Sequence, residues 1–254
     1  MKKILALFFS LQAGLHALYL GNPAEPELID EGFFIAQDSL FSVKAGYQGD
    51  IVFNRRLKAQ DGVDGSMDQF AMHLNQGVVA LNFIDRAEGY VSFGALDADF
   101  SHRLDGERRE YHAPDRWTVG GGLRILLVQW NNTCLGFNGG YQFSEPHVQW
   151  VAVDGLSYDS HARLIYREWQ IGFALSHTVD LFTPYLGVTY SDVDASLERI
   201  SADIGTPSHF KMVSRERIGM TVGCSLSSGK KVDLNFETRF FDEQAATVSG
   251  NIKF

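Results

Sequence analysis

VDLNFETRFFDEQAATVSGNIKF, residues 232–254, ends the chain and decides its fold. Val232, Leu234, Phe236, Thr238 and Phe240 share one parity, while Asp233, Asn235, Glu237 and Arg239 take the other. A strand sends successive side chains to opposite faces, so one face here is apolar and the other charged. Asp242, Glu243 and Gln244 form a polar connection. The alternation then resumes with Ala246, Val248, Gly250, Ile252 and Phe254 against Thr247, Ser249, Asn251 and Lys253. An edge strand of a soluble sandwich could alternate in this way. A full-length alternating strand that stops on phenylalanine instead reads as the closing strand of an outer-membrane barrel, with Phe254 as the signal read by the barrel assembly machinery.

The other end agrees. Lys2 and Lys3 precede a short apolar run over residues 4–11, and Leu15-His16-Ala17 offers a small residue for cleavage. Residues 1–17 therefore read as a secretory signal peptide, too short for a spanning helix, which needs about 20 apolar residues. No later stretch is apolar over that length, so a membrane-spanning form of this chain must be a closed barrel. Taking away the two lysines of residues 1–17 leaves 20 basic against 31 acidic side chains. That excess of acid argues against nucleic acid and anionic lipid as partners.

Residues 18–38 carry two of the six prolines and several acids. They read as an extended N-terminal segment inside or beneath the barrel, or as a periplasmic tail. Residues 39–254 read as the barrel. Phe41, Val43, Ala45, Tyr47, Gly49, Ile51 and Phe53 alternate with polar residues, a pattern longer than most soluble strands. A second strand over about 68–84 changes parity near Gln76-Gly77, from Phe70, Met72 and Leu74 to Val79, Leu81 and Phe83, which a β-bulge would explain. Further strands are centred on Val91, Leu123, Phe137, Ile171, Val188 and Val222. Short turns at 85–88, 130–132, 177–180 and 227–230 contrast with longer loops at 55–66, 101–115 and 193–211, the end-to-end asymmetry of a bacterial outer-membrane barrel. The fold expected is thus all-β, a transmembrane antiparallel β-barrel with an even number of strands. Ten strands are clear. The segments near 147–158 and 196–211 would raise the count, giving a best value of 12 within a range of 10–16.

With the apolar parity facing lipid, Lys44, Asp50, Arg124, Glu168, Arg217, Asp233, Glu237 and Arg239 face inward. A ring of such side chains would select ions and small polar solutes. Alternatively, they pair across strands and fill the lumen. Side chains plug a barrel of about 8 strands, whereas about 16 leave a water channel, so both outcomes stay open. A barrel hydrolase is the other class. His73, His102, His112, His147, His161 and His209 show no triad or metal-ligand spacing, and there is no HExxH or phosphate loop. No catalytic residue, cofactor or metal is expected.

Several segments resemble the chlamydial major outer membrane protein family. These are GNPAEP at 21–26, KAGYQGDIVFNRRLK at 44–58, VALNFIDR at 79–86, REWQIGFALSHTVDLFTPYLGV at 167–188 and FETRFFDEQAATVSGNIKF at 236–254, in the family's order. The resemblance implies a porin that is also a structural part of the bacterial outer envelope, set in outer-membrane lipid and often assembled as a homotrimer. A barrel with a structural or host-contact role and no conductance is the alternative. Two departures stand out. This chain is shorter in its loops, which puts the family's surface roles in doubt. It also has only Cys134 and Cys224, with Ile218-Gly219 where the family places a cysteine before glycine. Disulfide cross-linking of the envelope is weakly supported for it.

Overall fold

The computed structural model describes residues 19–33, 40–60, 65–104, 106–200 and 209–254. The expected signal peptide lies outside these residues, as do positions 34–39. Among the described residues the strands run in chain order as β1 (Ile29–Glu31), β2 (Phe41–Arg55), β3 (Leu57–Gln60), β4 (Gly65–Phe83), β5 (Ala87–Leu104) and β6 (Glu107–Trp130). β7 (Thr133–Ser144), β8 (Trp150–Val153), β9 (Leu156–Asp159), β10 (Arg163–His177) and β11 (Phe182–Glu198) follow. β12 (His209–Ser214), β13 (Ile218–Ser227), β14 (Gly229–Lys230), β15 (Val232–Phe240) and β16 (Glu243–Lys253) complete them.

Ten strands close an antiparallel barrel in the order β2, β4, β5, β6, β7, β10, β11, β13, β15, β16. The seam joins β16 to β2, with Val248 opposite Gly49 and Asn251 opposite Gly46. The count falls at the low end of the expected range, because the segment near 147–158 forms β8 and β9 outside the wall, and the described residues of 196–211 only lengthen β11 and begin β12. β8 and β9 form a hairpin that pairs with the upper part of β6. Its two-residue turn, Asp154-Gly155, has φ of 46° and 85°, the left-handed pair that a tight hairpin needs. β12 pairs with the top of β11 and with β3.

The wall strands are longer than a bilayer requires. β5 has 18 residues, β6 has 24 and β11 has 17, against about 9–11 for a tilted membrane strand. Polarity shows where the extra length goes. In β11, Phe182, Leu186, Val188 and Tyr190 point outward, followed on the same face by Asp192, Asp194 and Glu198. Its inward face runs from Thr183, Thr189 and Ser191 to Val193, Ala195 and Leu197. β5 does the same. Outward Val91 and Phe93 are 63% and 66% exposed, while inward Leu96 and Phe100 are 0% and 3% exposed. Below the switch the barrel is apolar outside and polar inside, as lipid demands. Above it the barrel is inside-out, with an apolar core and a polar surface. The rings of Trp169 and Tyr190, 5.5 Å apart, and of Trp117 and Phe143, 5.8 Å apart, lie just below the change. They form the aromatic girdle of the outer interface.

This corrects two expectations. The parity change in β4 is not a bulge, since pairing with β2 and β5 is unbroken through Gln76 and Gly77. Phe70, Met72 and Leu74 face the upper core, whereas Val79, Leu81 and Phe83 face lipid. The stretches 101–115 and 193–211 are not simply loops either. β5, β6 and β11 extend through much of them above the bilayer. There Tyr111, Phe100, Phe70 and Tyr166 stack in series, with Phe100 and Tyr111 at 4.7 Å. His102 is buried among them, against Tyr111 and Phe210.

Two outcomes follow from this placement. Leu123 sits on the outward face of β6 within the lipid band, so Leu123→Arg should cost about 2–4 kcal/mol near the midplane, measured by reversible unfolding in lipid vesicles. Burial, and then Arg109, push the His102 imidazole down to about 4. The folded cap therefore holds His102 neutral, while an unfolded cap would protonate it below the ordinary value of about 6.5. Stability is full above that pH and falls as pH drops toward 4. Protease nicking of the cap should rise over this window, and His102→Phe should flatten the response.

Candidate functional site

The lower, membrane-embedded lumen gathers nearly all the charged residues that the wall strands point inward. Lys44 on β2 holds Glu88 of β5 through Nζ at 2.8 Å. Arg124 on β6 pairs with Glu88 Oε1 at 2.8 Å and lies over the Tyr90 ring, 4.4 Å from its centroid. Arg239 on β15 is the centre of a second group. Its guanidinium reaches Asp50 Oδ1 at 2.6 Å, Glu237 Oε1 at 2.8 Å and Glu243 Oε1 at 2.6 Å, and donates to Thr247 Oγ1 at 2.8 Å. Arg55, at the top of β2, binds Glu168 at 2.7 Å and both Asp242 and Glu243 at 3.1 Å. Asp233 accepts from Asn235 Nδ2 at 2.7 Å and Asn251 Nδ2 at 2.9 Å. All of these side chains are buried. Charges are tolerated there because each faces opposite charge or amide donors at hydrogen-bond distance.

Seven of the eight inward residues named from the sequence thus lie in the lumen. Arg217 does not. It precedes the first paired residue of β13, where strand parity no longer governs it, and its half-exposed side chain pairs with Asp192 at 2.9 Å on the outer surface. Sequence reasoning also missed Arg55, Glu88, Asp242 and Glu243, by leaving them to loops and turns. Glu88 had a usable signal, since it alternates in phase with inward Tyr90 and Ser92.

Residues 19–29 occupy the space that remains. The backbone N–H groups of Leu20 and Gly21 donate to the Glu237 carboxylate at 3.1 and 3.0 Å. Asn22 Nδ2 donates to Thr183 O at 2.9 Å and Ser225 Oγ at 2.8 Å. Glu25 pairs with Arg124 at 3.1 Å and accepts from Asn251 at 3.0 Å, and its carbonyl accepts from Lys44 Nζ at 2.6 Å. The wall is cut to fit. A Cβ on Gly172 or Gly187 would meet the Leu20 methyls at 2.5 Å, and one on Gly136 would meet Pro23 at 2.7 Å. β1 then pairs in parallel with β14 at the short-turn end. Beside it, a cavity of ≈ 420 Å³ opens among Glu27, Gln129, Asn132, Asp180, Thr183 and Ser227.

The lumen is therefore closed at three levels: the apolar cap, the ion network, and the N-terminal segment. Cys134 is buried, with Sγ 3.1 Å from Glu27, and Cys224 lies on a distant strand; both are free thiols. Phe254 donates its backbone N–H to Val43 O at 2.8 Å across the seam.

The fold and lumen define a bacterial outer-membrane β-barrel. A family described as Chlamydia major outer membrane protein matches residues 139–209. The chain is 23% identical over 393 aligned positions, covering 100% of both chains, to the "Major outer membrane porin, serovar E" of Chlamydia trachomatis. It is likewise 23% identical over 394 positions to the "Major outer membrane porin" of Chlamydia psittaci. The aligned lengths exceed the 254 residues of this chain, so the relatives carry insertions relative to it. Among solved structures, the translocator domain of the autotransporter NalP from Neisseria meningitidis matches at TM-score 0.46 and 10% identity, over 85% of this chain and 89% of that one. The chain is thus similar to the chlamydial major outer membrane protein family, through a matched central segment and full-length alignment to its porins.

The ion network makes one demand on stability. Arg239→Gln leaves Asp50, Glu237 and Glu243 facing one another in a buried site. Breaking such a site from one side costs about 3–5 kcal/mol, and urea titration of the heat-modifiable folded band should show a loss of that size.

Proposed function

We propose that this chain is an outer-membrane porin for ions and small polar solutes, closed at rest, and a structural component of the outer envelope. The observation that carries it is the inward polarity of the membrane-embedded wall. Residues such as Gln48, Gln76, Gln142, Gln170 and Asn138 line the lumen with hydrogen-bonding groups, the polar interior of an outer-membrane barrel. The relatives' name, porin, supports a channel over an enzyme. In this reading Lys44, Asp50, Arg124, Glu168, Asp233, Glu237 and Arg239 set passage once residues 19–29 leave and the apolar cap opens. Assembly by the barrel assembly machinery through Phe254, removal of residues 1–17 as a signal peptide, and a homotrimer are parts of the same proposal.

A second reading has its own support. The apolar cap seals the outer end independently of the N-terminal segment, and a permanently closed barrel would serve the envelope alone. Planar-bilayer recording separates the two. Folded wild-type protein should give rare openings. Gly172→Leu, which removes the seat of Leu20, should raise open probability at least several-fold. Silence from both proteins, with folding shown by gel mobility, would favour the closed structural barrel.

A further inference from the structure

Above the aromatic girdle, the outward face of the barrel brings together Asp97, Asp99 and His112. Asp99 and His112 stand directly opposite each other on β5 and β6, and His112 Nδ1 lies 2.7 Å from Asp99 Oδ1. Asp97 shares that face two residues earlier. One potential ligand atom from each of the three lies within 4.8 Å of the others. The β5–β6 ladder slips between Leu96 and Ala98, so a bulge sits beside Asp97; bulges commonly re-aim side chains. His73 of β4 is opposite Asp97 on the other side. The His112 ring rests on Trp150, at 5.5 Å and 23° between planes, which limits its rotation. Two carboxylates share this spot, and a bound cation would relieve their repulsion.

We propose that Asp97, Asp99 and His112 form a binding site for a first-row transition dication of the zinc type. Carboxylates alone would suit calcium or magnesium. The imidazole nitrogen shifts the donor set toward zinc and its neighbours. Three protein ligands leave at least one coordination position open to solvent on the outward face. Sequence spacing did not show the site, because its two halves meet only across the β5–β6 hairpin.

The test is calorimetric titration of chelator-stripped, folded protein in detergent with zinc chloride. One zinc per chain is expected. The affinity should weaken at least tenfold in His112→Ala and in the Asp97→Asn/Asp99→Asn double variant, and equimolar calcium should not compete. Wild-type protein that binds no zinc saturably, or variants that bind as well as wild type, would overturn the proposal. A readout that needs no variant is cobalt(II) titration by NMR. The His112 ring signals should broaden before those of His177, which lies at the short-turn end beside Thr133. Broadening of His177 first, or of neither, also overturns it.

Discussion

A hydrocarbon slab offers no water to an unpaired N–H or C=O, and this constraint governs the rest of the structure. The wall must close on itself, so the first and last wall strands meet at the seam between β2 and β16. Closure at ten strands sets a width too small for a wide water channel and too large for wall side chains alone to fill. The interior is consequently shared between three fillings: apolar rings where the barrel leaves the bilayer, ion pairs within it, and a length of the chain's own N-terminus. The outer surface obeys the local solvent at each height. Where lipid ends, the two faces exchange roles, and the upper barrel is stabilised like a soluble one, by burial of Phe70, Leu96, Phe100 and their neighbours.

The lumen network is held by geometry more than by net attraction. Removing Arg55, Arg124, Arg239 and Lys44 from water is costly, and each regains that cost only through short contacts on several sides. Such a network tolerates little displacement. It fixes the positions of Glu25 and Glu237, and these in turn fix the segment 19–29. Closure of the lumen is thus a property of one connected set of contacts that spans β2, β5, β6, β15 and the N-terminus.

Much of this was legible in the chain itself. The last hairpin could be read because its outward residues face lipid along their whole length, so apolar parity and outward parity coincide. The same holds for the lower parts of β2, β6 and β10. Alternation alone, however, says only that two faces differ. It does not say which one meets the solvent. In β4 and β5 the apolar parity moves to the inner face above the bilayer, and the sequence presents that as a slip. Arg217 was misplaced for a related reason: parity carries no meaning outside the ladder. Arg55 and Glu88 were lost at strand ends, where boundaries are hardest to place. The docking of residues 19–29 depends on glycines scattered over three strands, and no local pattern announces it.

The enclosed N-terminus imposes an order of events. Leu20 bonds to a residue 217 positions later in the chain, and a loop of that length is joined only at an entropic cost that local contacts cannot offset beforehand. The segment made first must wait for the strands made last. It must also be in place before the β2–β16 seam shuts, or enter afterwards through the narrow short-turn end. Either route makes the final step of maturation a slow, long-range one, and a chain halted just short of it would be a complete cylinder with its interior still wet.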